Sequence, residues 1–258
     1  MTIAEAIKSF AKDLRQKSTV QPVDRLGADA PALLLLEAYF SPDADLNEIT
    51  ASRIRDFAAR WYVEEASTLK IAGQEGEQVE KSALKVRIDR ARSRQAADIP
   101  DPAELLNELA SFLTWTDQKM GPGEPSRCLS IVNELRTTLS RALEINRSLS
   151  RYLRETQSAF NFPEFLTSFE EGGSSQYDID VGGKIGAVDG FFRINRVEGS
   201  LAEGDELISD ERIWPIVFPE QVARMLNDAY VINLELVLDR GKWQIAGCGF
   251  TYPPGTEF

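Results

Sequence analysis

The chain has 258 residues, of which 43% are apolar and 27% charged, and it contains no histidine. The missing imidazole excludes Ser-His-Asp and Cys-His catalysis and histidine-based metal sites, while the net charge of −12 argues against general nucleic-acid binding. No apolar run reaches the ~18 residues of a membrane-spanning helix, so we expect a cytoplasmic protein without membrane contact.

The first 159 residues show the three- and four-residue spacing of apolar side chains that is typical of amphipathic helices. The first predicted helix, 2–18, carries Lys8, Lys12 and Arg15 on its polar side. Further helices are predicted over 29–40, over about twenty residues from Leu46, over 77–97, and from Pro102 with Asp101 as N-cap.

The last N-terminal helix, predicted over 126–158, has the most regular pattern in the chain. Apolar side chains recur at alternating spacings of four and three residues, a heptad repeat that keeps one seam against a neighbour. The seam contains Val132, Leu135, Leu139, Asn146, Leu149 and Leu153. Because further apolar residues widen this stripe, we expect a helix buried in a bundle, with a homodimer through the same seam as the alternative.

The same helix carries a row of arginines, Arg147, Arg151 and Arg154, spaced at i, i+4 and i+7. Such a row is either a solvated face or a docking strip for an acidic surface. A second basic stretch, 81–94, has no aromatic residues on which bases would stack. Nucleic acid is therefore not the expected partner.

Beyond residue 160 the helical spacing disappears and the chain becomes acidic, with 17 Asp and Glu against 7 Lys and Arg. Alternation predicts strands at 177–181 and 192–197, and Pro219 begins a short predicted helix to Ala229. Residues 232–249 predict a hairpin turning at Arg240-Gly241.

The predicted hairpin register places Leu234 opposite Gly247 and Ile232 opposite Gly249. Cys248 would then lie on the other face of the hairpin. With no base or cation beside it in the sequence, we expect a structural cysteine and not a nucleophile.

These elements predict an α+β protein of two domains. Residues 1–159 would form a helical bundle that ends in the long heptad-patterned helix. Residues 160–258 would form a smaller acidic α+β domain with an antiparallel sheet and a C-terminal β-hairpin.

The leading hypothesis is a non-catalytic protein that works by binding other proteins, as an adaptor, an assembly factor or a regulator. Its expected contacts are the arginine row and two aromatic residues, Trp214 and Phe218, which lie in a segment rich in large apolar side chains. No cofactor is expected.

Two alternative functions are kept beside this hypothesis. Asp178, Asp180 and Asp189 would gather as a carboxylate cluster for a divalent cation, in a metal-dependent hydrolase or transferase. The surplus negative charge of residues 160–258 would suit an acidic inhibitor or mimic of nucleic acid.

Overall fold

The computed structural model describes residues 1–17, 30–65, 99–121, 123–157, 179–180, 184–226 and 229–258. Within them the chain divides into two compact units, Met1–Ser140 and Arg141–Phe258. Helices form the N-terminal part and a five-stranded sheet the C-terminal part, which confirms the predicted α+β class. The predicted domain boundary, between residues 159 and 160, lies outside the described residues.

The described part of the first unit consists of helices. They are α1 (Ile3–Lys17), α2 (Pro31–Phe40), α3 (Ala51–Arg55), α4 (Pro102–Met120) and the beginning of α5 (Glu124–Gln157). A 3-10 turn, Leu46–Glu48, precedes α3, which continues as a π-helix over Asp56–Trp61. The predicted helix over 77–97 lies outside the described residues.

Side-chain caps fix where several of these helices begin. Asp101 accepts hydrogen bonds from the backbone N–H groups of Ala103 and Glu104, at 2.9 Å each, as its predicted role at the start of α4 requires. Asp45 and Glu48 form a capping box around the 3-10 turn. These caps satisfy N–H groups that the helices themselves leave without an acceptor.

Ring packing and buried hydrogen bonds link distant segments of the first unit. The ring of Phe10 on α1 packs edge-on against Phe112 on α4, with 5.6 Å between the ring centroids. Glu108 on α4 accepts a hydrogen bond from the N–H of Ala32 at 2.8 Å, which satisfies a backbone donor at the start of α2. The Tyr62 hydroxyl donates to the carbonyl of Pro100 at 2.7 Å. Each bond joins segments that are distant in the sequence.

The second unit contains a closed five-stranded barrel with the strand order β3–β4–β5–β7–β6. Its strands are β3 (Ala187–Glu198), β4 (Leu201–Glu206), β5 (Arg212–Val217), β6 (Val231–Asp239) and β7 (Lys242–Tyr252). A separate antiparallel pair precedes it, β1 (Ile179–Asp180) with β2 (Lys184–Ile185). The barrel pairs are antiparallel as predicted, except β5 with β7, which is parallel and closes the barrel.

The hairpin of β6 and β7 turns where the sequence predicts, but its register is not the predicted one. Two irregularities in the pairing place Leu234 opposite Cys248, and Ile232 opposite Thr251. The predicted pairing with Gly247 and Gly249 was therefore wrong. Cys248 faces the same side as Leu234 and packs against the core, not on the opposite face.

The C-terminal part of α5 belongs to the core of the second unit. Ala142, Ile145, Leu149 and Leu153 form one hydrophobic cluster with barrel residues such as Phe192. A single turn of helix, α6 (Glu220–Ala223), contributes Val222 and is shorter than the predicted 219–229. None of the helices in the described ranges is both long enough and apolar enough to cross a membrane.

Candidate functional site

The arginine row lies on the surface of α5. Arg147, Arg151 and Arg154 are all exposed, while Ile145 and Leu149 on the other side of the helix are buried. The Arg147 guanidinium lies 3.5 Å from the carboxylate of Glu144, and both side chains are half exposed. Arg154 donates from Nε to the carbonyl of Ser150, one turn earlier in the helix. The structure gives Arg151 and Arg154 no carboxylate partner among the residues that it describes.

Trp214 on β5 is 37% exposed, and the guanidinium of Arg196 lies over its ring at 4.9 Å from the centroid. Arg196 also pairs with Glu203 at 3.3 Å. Next to this pair, Arg212 contacts the carboxylate of Asp205 at 3.1 Å. A hydrogen bond from Asn195, followed by a hydrogen bond from Arg212 and then by its charge, lowers the pKa of Asp205. The tryptophan therefore lies in a surface network of paired charges.

Phe218, the other aromatic residue expected to contact a partner, is only 2% exposed and packs in the core of the second unit. The seam residues of α5 are buried as well. Val132, Leu135, Leu139 and Asn146 are covered within the chain, as are Leu149 and Leu153. Neither set offers a surface to a partner in this conformation.

The predicted aspartate cluster is only partly described. Asp178 lies outside the described residues, and the side chain of Asp180 in β1 is not described. Asp189 lies on β3. Among the described residues, no three His, Cys, Asp or Glu side chains are placed to hold a metal ion together. The described geometry therefore gives the metal-dependent alternative no site.

Asp189 instead belongs to a group of carboxylates that the sequence pattern does not predict. Its direct cross-strand partner on β6 is Glu235, and Glu206 lies on the neighbouring strand β4. Burial, followed by the charge of Glu206, raises the pKa of Asp189. Burial, followed by the charge of Asp189, raises the pKa of Glu235. Burial and the like charge on the adjacent strand therefore make these two carboxyl groups hold their protons more tightly than an exposed, isolated carboxyl group does.

Glycines make room for these side chains. A Cβ atom at Gly190 would lie 2.5 Å from Oε1 of Glu206, and one at Gly247 would lie 2.6 Å from Oε2 of Glu235. At Gly249 the added carbon would lie 2.2 Å from Oδ1 of Asn233. Gly247 and Gly249 thus leave room for polar side chains of the neighbouring strand, and not for Leu234 and Ile232 as predicted.

Glu206 itself is only 7% exposed and holds the turn after β4. Its Oε2 accepts hydrogen bonds from the N–H groups of Ile208 at 2.9 Å and Ser209 at 2.6 Å. Its Oε1 has no hydrogen-bond donor among the described residues. The glycine that follows Asp189 is the sequence signal for this close approach, but the pairing of β3 with β4 is needed to name its partner.

Neither cysteine has the environment of a nucleophile. Burial raises the pKa of Cys248 to about 11, with its Sγ 3.9 Å from the hydroxyl of Ser150 on α5. Burial also raises the pKa of Cys128 to about 12. At neutral pH both remain thiols, which are poor nucleophiles and poor metal ligands.

Comparison with known proteins gives no functional assignment for this chain. No protein-family model matches this chain, and neither a curated protein nor a solved structure matches it.

Proposed function

We propose that this protein acts by binding another protein through the arginine row Arg147, Arg151 and Arg154, without catalysing a reaction. The observation that carries the proposal is the position of the row. All three arginines are exposed on a helix whose other face is anchored in a hydrophobic core. Of the described carboxylates, only Glu144 pairs with a member of the row.

The chemistry of the row favours an acidic protein surface as the partner. Seven residues of helix span about 10 Å, so the three guanidinium groups cover two turns of α5. Each planar guanidinium can hold a carboxylate with two parallel hydrogen bonds. The like charges of the row repel one another in the free protein, and a partner carboxylate between them would remove this repulsion. An adaptor, an assembly factor or a regulator would use such a surface.

Trp214 is a second proposed contact because it is the exposed aromatic residue of β5. A tryptophan that stacks on an arginine offers a large flat contact at low cost in side-chain entropy. Phe218 is left out of the proposed surface because it is buried.

Charge reversal tests the proposal. We expect the chain to capture a defined protein from its native host, and R147E/R151E/R154E to lose that capture while its circular dichroism stays unchanged. The matched control is K8E/K12E/R15E, which reverses three exposed cations at the same spacing on α1. Capture that survives reversal of the α5 row, in a folded variant, would contradict the proposal.

A further inference from the structure

A surface cavity of about 350 Å³ lies beside α1 in the helical unit. The described residues that line it are Lys8, Ala11, Lys12, Arg15 and Gln16. Three of these five side chains are cations, spaced at i, i+4 and i+7 on one face of the helix. Its volume is within the usual range for a small-molecule site, which is about 300–1,000 Å³.

The cations of this cavity are not neutralised by described carboxylates. The structure shows no ion pair for Lys8, Lys12 or Arg15 within the residues it describes. Asp13, the acidic residue of α1 that is close to these cations in the sequence, contacts α4. It accepts hydrogen bonds from the indole N–H of Trp115 at 2.9 Å and pairs with Lys119 at 3.0 Å. Three cations without an ion pair in the described part of the chain are unexpected in a protein that carries 41 acidic against 29 basic residues.

The opposite face of α1 holds the three cations in place. Ile3, Ile7 and Phe10 are buried in the core of the first unit, and the Phe10 ring packs against Phe112 and Trp115. The helix backbone that carries the cations is thus fixed by packing. A ligand that meets them would not have to order the helix first.

We propose that this cavity binds a small ligand that carries two or more phosphate groups. The cations span about 10 Å along the helix, so neighbouring phosphates of one ligand would each meet a positive charge. Lysine ammonium groups act as compact point charges for phosphate, and an arginine adds paired N–H donors. The only apolar side chain of the described lining is Ala11. In the described lining, recognition would therefore rest on charge.

Calorimetry with sodium tripolyphosphate tests the proposal on the full chain. We expect binding that weakens as salt is added, because cation contacts to phosphate displace counterions. K8Q/K12Q/R15Q should weaken it by about tenfold or more, since each lost contact is a charge-assisted hydrogen bond. The control is R224Q/R240Q/K242Q, which removes the same charge from exposed positions of the second unit outside both proposed sites and should change affinity by less than about twofold.

Vesicles of phosphatidylcholine that carry a phosphatidylinositol phosphate distinguish the source of the phosphate. Binding of tripolyphosphate alone indicates a free ligand, and binding of the vesicles that is lost in K8Q/K12Q/R15Q indicates a lipid headgroup. Absence of binding to both probes would overturn the proposal. Equal loss of binding in R224Q/R240Q/K242Q would overturn it too, because the attraction would then be general. If the triple variant does not fold, Lys12→Gln alone, with Arg224→Gln as its control, decides between the same outcomes.

Discussion

Glu108 in the helical unit and Glu206 in the barrel are both buried, at 4% and 7% exposure, but their surroundings differ. The carboxylate of Glu108 accepts the N–H of Ala32 and so joins two helices. The Glu206 carboxylate holds a turn with one oxygen and leaves the other without a described donor. Close to it lies Asp189, whose own pKa is raised in part by the charge of Glu206.

The difference between the two units lies in how each positions its polar groups. In the helical unit, the buried Glu108 and Tyr62 each bond to a backbone group that is distant in the sequence, which stabilises a single arrangement of helices. In the barrel, carboxylates of β3, β4 and β6 repel one another, and glycines give them room. We therefore expect the stability of the helical unit to fall mainly when packing is lost. The stability of the barrel should also change when a carboxylate is neutralised or a glycine is replaced.

The largest expected loss of stability comes from truncating either of two leucines of α5. They lie on the same helix but are buried in different units. Leu135→Ala and Leu149→Ala should each lower the free energy of unfolding by about 2–5 kcal/mol, because each leaves a cavity in a packed core. Hydrogen exchange should then speed up around α1 to α4 for the first variant and in the barrel strands for the second.

Thr137→Ala on the exposed face of α5 is the control for both leucines, and it should change stability by less than about 0.5 kcal/mol. If Leu149→Ala leaves exchange in the barrel unchanged, residues 141–157 of α5 do not belong to the core of the second unit.

A smaller effect is expected from methyl groups added to the barrel glycines. Gly190→Ala should lower the free energy of unfolding by about 1–3 kcal/mol, because the buried Glu206 that holds the turn after β4 must move. Gly247→Ala should cost less, since the half-buried side chain of Glu235 can turn away. Urea denaturation of the two variants measures the difference, and equal losses would contradict this account of the two glycines.

The smallest expected effect comes from removing charge at the barrel. The folded state raises the pKa of Asp189 and of Glu235, so it binds their protons more tightly than the unfolded chain does. The stability that these two carboxyl groups contribute is therefore fully present below their unfolded pKa values of about 4. It is lost as the pH rises through their higher pKa values in the folded state. Asp189→Asn and Glu235→Gln should therefore raise the melting temperature at pH 7, with a gain that shrinks toward pH 4.

Asp205→Asn on β4 is the matched control, because it removes the same charge from a carboxyl whose pKa is lowered. Its contribution to stability is present above the unfolded pKa and is lost on acidification, so this variant should melt at a lower temperature at pH 7. If all three variants gain stability equally, relief of the overall charge of −12 explains the effect, and the local repulsion does not.

The sequence predicts the helical unit better than the barrel for a physical reason. Periodic apolar residues and local caps, such as Asp101 before Pro102, determine α1, α2, α4 and α5 within a few residues. These signals act over one or two helical turns, so they can be read without tertiary structure. The hairpin turn at Arg240-Gly241 is local in the same sense.

Strands β4 and β5, the parallel closure of the barrel and the two irregularities in the hairpin depend on pairing between distant segments. A shift of one residue in register moves every later side chain to the other face, which is why Cys248 was placed wrongly. The carboxylates at 189, 206 and 235 meet only through this pairing. The arginine row is different, because helical spacing alone places its three side chains on one face.

Arginine footprinting of the captured complex tests the central claim most directly, namely that the row on α5 contacts the partner. In the free chain, a dicarbonyl reagent should modify Arg147, Arg151 and Arg154 and also the fully accessible Arg240 at the β6–β7 turn. In the complex, we predict that mass spectrometry finds the three α5 arginines protected while Arg240 is modified as before. Equal modification of the row in the free chain and in the complex would contradict the claim.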